Sequence, residues 1–484
     1  MSAMNGKQPV ITRFAPSPTG FMHVGNVRTA LYAWLWARKN KGIFILRIED
    51  TDKEREVEGS IGHTIESLRW LGLDWDYGPE KGGPNAPYIQ SERLDIYKKY
   101  AEVLVKKGFA YPDPYTEEEV QKFREQAEAA KKPFLYREHR PKVFDVWDGK
   151  KPLRFKTPEI KSYAWNDLVQ GKLSAGPEAL DDFILIKGDG YPTYNFGHIV
   201  DDIEMKVTHV VRGQEFISST PKFLSVYEAF GVTPPLFVTT PPIMAPSGNK
   251  KLSKRDGAKD LLEYRKEGYM PETMINYLAF LGFNPGGERE VYGRQELTEV
   301  FELTKIQHSG AKWSDEKLNW FNKEHIKRLP KEEVEKNILE RLPKHMRENQ
   351  IALKLVPLIV DRVVKWGDVE IMVEAGELDL FFATPILDKA KLVYKNVSTE
   401  KITGNLKAAL EVLQQVSEEN FTLENVKSAL MKVAGSLESR GELLHPVRMA
   451  LSGKDKSPDP FTLADILGKE ETIKRIETAI KLVG

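Results

Sequence analysis

The stretch that decides the fold class runs from Val10-Ile-Thr-Arg-Phe14, through a Pro-rich loop, to Ile43-Phe-Ile-Leu46. The first segment predicts a short strand. The second is a continuous apolar run, as in parallel strands that are buried on both faces. Between them, apolar residues recur at helical spacing and predict a helix from about Asn26 to Asn40. A strand, a helix and a strand within about 40 residues form a βαβ unit, which predicts a doubly wound α/β domain.

The same alternation of strand and helix returns after residue 180. Phe183–Lys187, Val207–Arg212 and Leu236–Thr239 are predicted strands, and Pro221–Phe230 is a predicted helix between the last two. We therefore expect the second half of the α/β domain in this part of the chain.

Two other regions have a different composition. The stretch 106–190 contains a charged helical segment, Thr116–Lys131, followed by shorter segments rich in Pro and Gly. We interpret it as an insertion that splits the α/β fold into two halves. Beyond about residue 324, long segments with helical spacing predict an all-α region. Pro385 and Gly404 lie near a plausible boundary inside that region.

Composition excludes several classes of protein. The chain has 484 residues, of which 41% are hydrophobic and 29% charged, a balance that excludes a wholly disordered chain. Lys and Arg number 71, as do Asp and Glu. This balance excludes a uniformly basic nucleic-acid coat but leaves room for a local basic groove. The absence of cysteine excludes disulfides, Cys-ligated zinc, iron–sulfur clusters and thiol catalysis.

The sequence also lacks signals for export or membrane insertion. Residues 1–10 contain no apolar core of a signal peptide. No stretch approaches the roughly 20 apolar residues that a membrane span requires, and the apolar segment 351–364 is broken by Lys, Pro, Asp and Arg. We predict a soluble cytoplasmic protein.

The first candidate site is the loop after the first strand, which contains Arg13–Gly20 and then His23-Val-Gly-Asn26. It precedes a helix, whose N-terminal N–H groups and dipole attract anions. Gly25 allows a ligand to approach the backbone, and His23 can donate hydrogen bonds to phosphate oxygens. The first 47 residues contain several Lys and Arg but no Asp or Glu, which favours an anionic ligand. The alternative is a helix-capping loop with an incidental histidine.

The second candidate site is Lys250-Lys-Leu-Ser-Lys-Arg255, which follows Pro246-Ser-Gly-Asn249. A mobile loop with several cations can close over a polyphosphate and stabilise charge on a leaving group. Alone, such a run is more often a surface loop. Its significance depends on its pairing with the loop that contains His23.

Other chemistries lack their motifs. Asn26 stands where a Walker motif needs Lys, residues 188–190 do not form a dinucleotide fingerprint, and no His-Glu-x-x-His is present. Glu49, Asp50 and Asp52 could form a carboxylate cluster for hydrolysis. Because they follow a strand beside Arg47, they could equally bind an ammonium group.

Together these motifs resemble the bacterial glutamyl-tRNA synthetases. His23-Val-Gly-Asn26 is similar to the His-x-Gly-His signature of class I aminoacyl-tRNA synthetases, and Lys251-Leu-Ser-Lys-Arg255 to their Lys-Met-Ser-Lys-Ser signature. Chance agreement over so many ordered segments is negligible, because the resemblance covers nearly the whole chain. Further similar segments are Arg13–Gly20, Arg47–Asp52, Tyr88–Arg93, Tyr191–Phe196, His209–Gly213, His445–Leu451 and Leu467–Thr472.

The resemblance implies a Rossmann-like α/β catalytic domain with an inserted α+β domain, followed by an all-α C-terminal anticodon-binding region. The implied domains are two catalytic halves (1–105 and 191–255), an acceptor-stem-binding insertion (106–190), a stem-contact connecting domain (256–323) and two helical anticodon-binding subdomains (324–385 and 386–484).

The resemblance also implies an activity. Members of the family activate glutamate with ATP, giving glutamyl-adenylate and pyrophosphate, and then transfer glutamate to the 3′-terminal ribose of tRNA(Glu). Such phosphoryl chemistry depends on positioning and charge stabilisation more than on acid–base residues. We expect Mg²⁺ with the ATP, a monomeric protein, and tRNA(Gln) as a further candidate substrate.

Site residues follow from the same resemblance. Arg13 and Arg212 can pair with substrate carboxylates, and Glu49 can hold the α-ammonium group. Tyr194 and Arg212 could instead be ordinary core and surface residues. The implied ATP-binding residues are His23, Gly25, Lys251, Ser253, Lys254 and Arg255, of which His23 and Lys254 are the implied catalytic residues. The implied glutamate-binding residues are Arg13, Ala15, Ser17, Glu49, Tyr194, His198 and Arg212.

Two features of the chain bear on its relation to the family. Asn26 replaces the last His of the class signature, a position where glutamyl enzymes commonly have a small residue. Some relatives carry a Cys-rich zinc site in the insertion, whereas this chain has Ala110–Tyr115 without cysteine, so we predict no zinc.

Arg362 is a candidate reader of anticodon bases, because Arg can bond to base edges in a bidentate manner. Its alternative role is that of an ordinary helix-surface residue.

Three other identities compete with this interpretation. A glutaminyl-tRNA synthetase would need a pocket for a neutral amide, and its C-terminal half would be a β-barrel. A truncated paralogue that glutamylates a tRNA base would lack the long helical C-terminal half. A non-catalytic nucleotide- or RNA-binding module would not need both signatures intact, including Lys254.

Overall fold

The structure, a computed structural model, describes residues 8–484 of the chain, except for the side chain of Lys254. The chain forms two compact units, one ending at His325 and the other spanning Ile326–Gly484. The strands found in the described residues all belong to the first unit, and the second unit is built of helices. The predicted fold class, an α/β region followed by an all-α region, is confirmed.

Eleven strands in the described part of the first unit form three sheets. They are β1 Ile11–Phe14, β2 Ile43–Leu46, β3 Ala110–Pro112, β4 Leu153–Phe155, β5 Tyr163–Asp167, β6 Gly171–Ala175, β7 Ile184–Ile186, β8 His209–Gly213, β9 Leu236–Thr240, β10 Ile243–Met244 and β11 Ala311–Lys312. The main sheet has the order β2-β1-β8-β9-β5-β6. Neighbouring strands from β2 to β5 are parallel, and β6 is antiparallel to β5.

Helices lie between these strands along the chain and after the last of them. They are α1 Val24–Lys39, α2 Ser60–Leu71, α3 Leu94–Lys106, α4 Glu117–Ala129, α5 Tyr194–Glu204, α6 Thr220–Phe230, α7 Leu261–Lys266, α8 Pro271–Phe280, α9 Arg294–Val300 and α10 Asp315–Ile326. The strands and helices predicted for the first βαβ unit are confirmed as β1, α1 and β2. The predicted strands at 207–212 and 236–239 correspond to β8 and β9, and the helix between them to α6.

Helix α1 is the packing centre of the first βαβ unit. Val27, Leu31 and Leu35 recur at helical spacing and have no exposed surface, and they share one core with Phe44 and Leu46 of β2. Burial of side chains of this size contributes about 1.5–3 kcal/mol each. The helix is thereby fixed with its N-terminus beside the carboxyl end of β1, where the first candidate loop lies.

The stretch 106–190 divides between two sheets. Strand β7, predicted to continue the α/β pattern, instead pairs with β4 in a separate antiparallel sheet of order β3-β4-β7. In contrast, the hairpin β5–β6 extends the main sheet beyond β9. Asp167 secures this edge: its carboxylate accepts hydrogen bonds from the backbone N–H and hydroxyl of Thr239, at 3.1 and 2.6 Å. Local sequence cannot predict either pairing, because the partner strands lie more than twenty residues away.

The smaller sheet is held by buried ion pairs and aromatic rings. The carboxylate of Asp113 accepts hydrogen bonds from the Arg154 guanidinium and from the Tyr136 hydroxyl. The Arg154 guanidinium lies 3.3 Å from the centroid of the Tyr136 ring. Arg140 pairs with the buried Asp182 at 2.6 Å. These contacts give the buried carboxylates of Asp113 and Asp182 an arginine partner each.

The second unit is a set of packed helices. They are α11 Lys331–Leu339, α12 Lys344–Arg347, α13 Ala352–Arg362, α14 Asp368–Glu374, α15 Asp379–Phe382, α16 Lys389–Leu392, α17 Thr399–Gln415, α18 Leu423–Ala434, α19 Gly441–Ser452 and α20 Pro460–Val483. Helix α20 packs against α17, α18 and α19. It is kinked at Gly468, whose positive φ of 79° favours glycine. Over the residues that the structure describes, no helix is both long and apolar enough to cross a bilayer.

Candidate active site

The carboxyl ends of β1, β2 and β8 meet at one edge of the main sheet because these strands are parallel. Arg13 lies near the end of β1, Glu49 follows β2, and Arg212 lies near the end of β8. Helix α5 brings the adjacent carboxylates Asp201 and Asp202 to the same place. Parallel pairing therefore collects charged residues that are up to about 200 positions apart in the sequence.

Arg47 is the centre of a buried ion-pair network. Its guanidinium lies 2.8 Å from carboxylate oxygens of both Glu49 and Asp202, and 3.5 Å from Asp201. Asp202 also pairs with Arg13 at 3.1 Å. Burial alone would lower the pKa of Arg47, but the surrounding carboxylates raise it well above its usual value. Burial likewise disfavours the charge of Asp202, but Arg13 and Arg47 lower its pKa to about 2.

Arg212 is buried nearby but has a different environment. It donates a hydrogen bond to the Thr220 hydroxyl at 2.6 Å and lies over the rings of Phe237 and Phe223. No ion pair or Nε hydrogen bond is found for it among the described residues. Asp167, a carboxylate farther along the sheet, is instead bonded to β9. Burial lowers the pKa of Arg212 to about 10. A desolvated guanidinium with an unused donor suits a carboxylate ligand.

Tyr194 and His198 stack one turn apart at the start of α5, with ring centroids 4.6 Å apart. Tyr194 also stacks on Phe216 at 5.3 Å. Burial lowers the pKa of His198 to about 3, so its ring is neutral near pH 7. Its Nδ1 lies 2.5 Å from the Tyr194 carbonyl oxygen, which requires the Nδ1–H tautomer as hydrogen-bond donor. His198 is therefore neutral and packs against Tyr194.

A cleft of about 1390 Å³ opens in front of these groups. Three residues of the predicted glutamate pocket, Ser17, Glu49 and Tyr194, line it. Ala15 is half-buried in the same loop as Ser17. Arg13, His198 and Arg212 are not among the residues that line the cleft, but Phe216, whose ring lies beside the Arg212 guanidinium, is one of them. Residues of 106–190 also line the cleft, and they include Asp113, Tyr115, Gln121, Arg124, Arg154 and Lys187.

We call residues 13–26, which contain the His23-Val-Gly-Asn26 signature, the first loop, and Lys251–Arg255 the second loop. The segments that carry these two signature loops contact each other directly. His23 caps the N-terminus of α1, with its ring accepting a hydrogen bond from the Gly25 N–H at 3.1 Å. A Cβ atom at Gly25 would lie 3.0 Å from that ring, so a side chain there would displace it. His23 forms an antiparallel bridge with Asp260, and the N–H of Leu261 donates to the carbonyl of Met22 at 2.9 Å.

The second loop is stabilised by contacts within itself. Lys250 pairs with Asp256 at 2.7 Å, and the Ser253 hydroxyl donates to the same carboxylate at 2.6 Å. A salt bridge as exposed as that of Lys250 contributes little to stability, because water and salt screen it. The loop can therefore change shape around a ligand at small cost.

The cations of this loop differ in how much the structure says about them. Lys251 is exposed and lies 3.9 Å from Glu215, a separation at which an exposed pair is weak. Ser253 and Arg255 are exposed as well. The side chain of Lys254, predicted to be catalytic, lies outside the described part of the chain.

Sequence reasoning missed the acids that hold the arginines in place. Asp201 and Asp202 are fully or almost fully buried, and Asp201 also pairs with Arg93 at 2.8 Å. A signal was present: two adjacent acids interrupt the apolar run that includes Ile199 and Val200. Two carboxylates on the buried side of a helix require cationic partners.

Comparison with known families gives two matches that together span most of the chain. Residues 9–320 match the family described as tRNA synthetases class I (E and Q), catalytic domain. Residues 315–480 match the family described as anticodon binding domain.

Full-length relatives give a consistent result. A protein of Clostridium botulinum named glutamate–tRNA ligase is 42% identical, over 97% of this chain and 98% of its own length. A glutamate–tRNA ligase of Clostridium kluyveri is also 42% identical, over 98% of both chains. A crystal structure of a glutamate tRNA ligase from Elizabethkingia meningosepticum, in complex with its amino acid, has a TM-score of 0.87 and 35% identity. That match covers 99% of this chain and all of the other.

The buried His198 predicts how stability depends on pH. Its pKa is about 3 in the folded protein against 6.5 in a free side chain, so protons bind preferentially to the unfolded chain below pH 6.5. The free energy of unfolding should therefore fall by up to about 1.4 kcal/mol per pH unit between about pH 6 and pH 4. His198→Gln should show a smaller loss of thermal midpoint between about pH 7 and pH 5 than the unchanged protein.

The exposed His308 provides the control for this measurement. His308→Gln should lose as much thermal stability on acidification as the unchanged protein. If His198→Gln loses as much thermal stability on acidification as the unchanged protein, the assignment of this pH dependence to His198 is wrong. The stabilisation from Asp202 is lost at lower pH, between its ordinary pKa of 3.8 and about 2, and does not disturb the comparison.

Proposed function

The chain belongs to the class I tRNA synthetases for glutamate and glutamine, and from that premise we propose that it is a glutamate–tRNA ligase. The choice of glutamate over glutamine rests on the buried environment of Arg212. Arg13 and Arg47 are already paired with carboxylates, whereas Arg212 is buried without an ion pair among the described residues. This excess of positive charge suits glutamate, which has a net negative charge, better than glutamine, which has none.

The proposed reaction has two steps. The α-carboxylate of glutamate attacks the α-phosphorus of ATP, the bond to the β-phosphate oxygen breaks, and pyrophosphate leaves. The terminal ribose 2′-hydroxyl of the tRNA then attacks the carbonyl of glutamyl-adenylate, and AMP leaves. Glu49 would bind the α-ammonium group while Arg13 and Arg212 bind carboxylates. The remaining proposed pocket residues are Ala15, Ser17, Tyr194 and His198.

ATP is proposed to bind between the two signature loops. His23 and Gly25 would hold the nucleotide at the N-terminus of α1, where the helix dipole favours phosphate. Lys251, Ser253, Lys254 and Arg255 would close over the phosphates and stabilise the charge that pyrophosphate carries away. Mg²⁺ is expected to accompany ATP. A Lys254→Ala variant tests this assignment, because adenylate formation should fall far more than tRNA affinity.

Each unit is proposed to contribute to tRNA binding. Residues 106–190 are proposed to bind the acceptor stem, residues 256–323 to form a connecting domain that contacts a stem of the tRNA, and the helical regions 324–385 and 386–484 to bind the anticodon. Arg362 remains the candidate anticodon reader. It ends α13, is 40% exposed and lies 3.5 Å from Glu377, an exposed pair that a base could displace at small cost.

A cytoplasmic monomer is expected, which light scattering and cell fractionation can test.

Charging of purified tRNA tests the proposed function directly. With labelled glutamate and ATP, we expect glutamate on tRNA(Glu), and no product with labelled glutamine. Transfer to tRNA(Gln) as well would identify an enzyme with relaxed anticodon selection. Absence of glutamate transfer to either tRNA would refute the proposal.

Arg212→Gln should raise the KM for glutamate by about 10- to 100-fold, because charge-assisted hydrogen bonds to a carboxylate are lost. The KM for ATP should stay within about twofold of the unchanged enzyme. Arg69→Gln is the matched control, since Arg69 is about half exposed and pairs with Glu80 at the surface. Equal increases in both KM values for Arg212→Gln would contradict a role in binding the amino acid.

The insertion is proposed to fold without zinc. Among the described residues, no group of three or more His, Asp or Glu side chains is arranged to hold a metal. Asp113, which could have been a ligand, is already bonded to Arg154 and Tyr136. Elemental analysis should give far less than one zinc per chain, and a chelator should leave the thermal midpoint unchanged. Stoichiometric zinc would overturn this prediction.

A further inference from the structure

His63 of α2 lies between the segments that carry the two signature loops. It belongs to neither signature, and only 11% of its side chain is exposed. Its ring contacts Phe21 and Met22 on one side and Asp260 on the other. The first two residues directly precede His23, and Asp260 lies five positions beyond Arg255.

The hydrogen bonds of this ring determine its tautomer. The backbone N–H of Met22 donates to Nδ1 at 3.3 Å, so Nδ1 must be unprotonated. Nε2 lies 3.2 Å from Oδ1 of Asp260 and must therefore carry the proton and donate it. The Ser67 hydroxyl of α2 lies 3.4 Å from Nδ1 and can donate to it in this tautomer. The neutral Nε2–H form thus joins a backbone donor on one side to a carboxylate acceptor on the other.

The position of the ring is fixed as well as its protonation. Phe21 stacks on it with a centroid distance of 4.7 Å and an interplanar angle of 18°. Helix α2 is itself anchored to the first loop through the Ser60 hydroxyl, which donates to the Pro18 carbonyl at 3.0 Å. A movement of α2 would therefore carry the ring and the first loop together.

Asp260 transmits this constraint to the second loop. Its carboxylate caps α7 by accepting from the N–H groups of Leu262 and Glu263, at 2.9 and 3.1 Å. The same oxygen receives the bond from His63. The chain leaving the Lys251–Arg255 loop is thus bonded both to the backbone of the first loop and, through His63, to α2.

We propose that His63 is a positioning residue for ATP, which sets the separation between the two signature loops. The inference rests on the proposed function, since it takes ATP to bind between those loops. His63 itself does not contact the nucleotide. It holds Met22 and Asp260 at a fixed spacing, and this spacing determines whether His23 and the cations of the second loop can reach the same phosphates.

The test is the dependence of tRNA charging on ATP in two variants of His63. His63→Ala removes both hydrogen bonds and should raise the KM for ATP about tenfold, with the KM for glutamate within about twofold. His63→Gln retains an acceptor for the Met22 N–H and a donor for Asp260. It should recover most of the ATP affinity, which a purely space-filling role of the ring would not predict.

Glu66→Gln is the matched control. Glu66 lies on the same helix and pairs with Arg265 of α7 at 2.6 Å, but it is exposed, and no hydrogen bond or ion pair joins it to the first loop among the described residues. This variant should leave both KM values unchanged. Thermal midpoints of all variants separate a local effect from general destabilisation.

Two outcomes would overturn the inference: a KM for ATP in His63→Ala within about twofold of the unchanged enzyme, or equal rises in both KM values with a large loss of thermal midpoint. Failure of the unchanged enzyme to transfer glutamate would refute the proposed function instead. In that event, calorimetric titration with ATP alone still tests the inference, because His63→Ala should bind ATP about tenfold more weakly than the unchanged protein.

Discussion

The structure of the catalytic unit depends on the ion pairs around Arg47. Its guanidinium is completely buried and satisfied by carboxylates from two different elements, the segment after β2 and helix α5. Removing water from a charge costs several kcal/mol, and only correctly placed partners offset this cost. Because Asp202 also holds Arg13 at the end of β1, the network fixes the relative positions of two strand ends and a helix. An error in any of them would leave a charge buried and unpaired.

The saturation of this network gives Arg212 its significance. The carboxylates beside Arg13 and Arg47 are already used, so the guanidinium at the end of β8 stays desolvated without an acid beside it in the described structure. It is buried beside aromatic rings. An anionic ligand beside this guanidinium would stabilise its positive charge. Under the proposed function, one arrangement of charges serves both the stability of the fold and the selection of glutamate.

The two loops that are proposed to bind ATP are built differently. There the exposed cations of the second loop are weakly paired, and rigidity comes from the segments on either side of it. The backbone bond between Leu261 and Met22, together with the contacts of His63, fixes the base of the loop while its tip remains free to adapt. This combination suits a ligand whose charge is redistributed during the reaction.

The sequence by itself determined the βαβ unit, the all-helical second unit and the two signature loops, because apolar periodicity and motif spacing are local properties. It also identified Arg13, Glu49 and Arg212 as candidates. Only the tertiary structure decided that β7 leaves the main sheet while the hairpin β5–β6 joins it, and that Arg13 has an acidic partner whereas none is found for Arg212 over residues 8–484. Strand partners and the balance of buried charge depend on residues that are distant in sequence, and no local pattern records which of them meet.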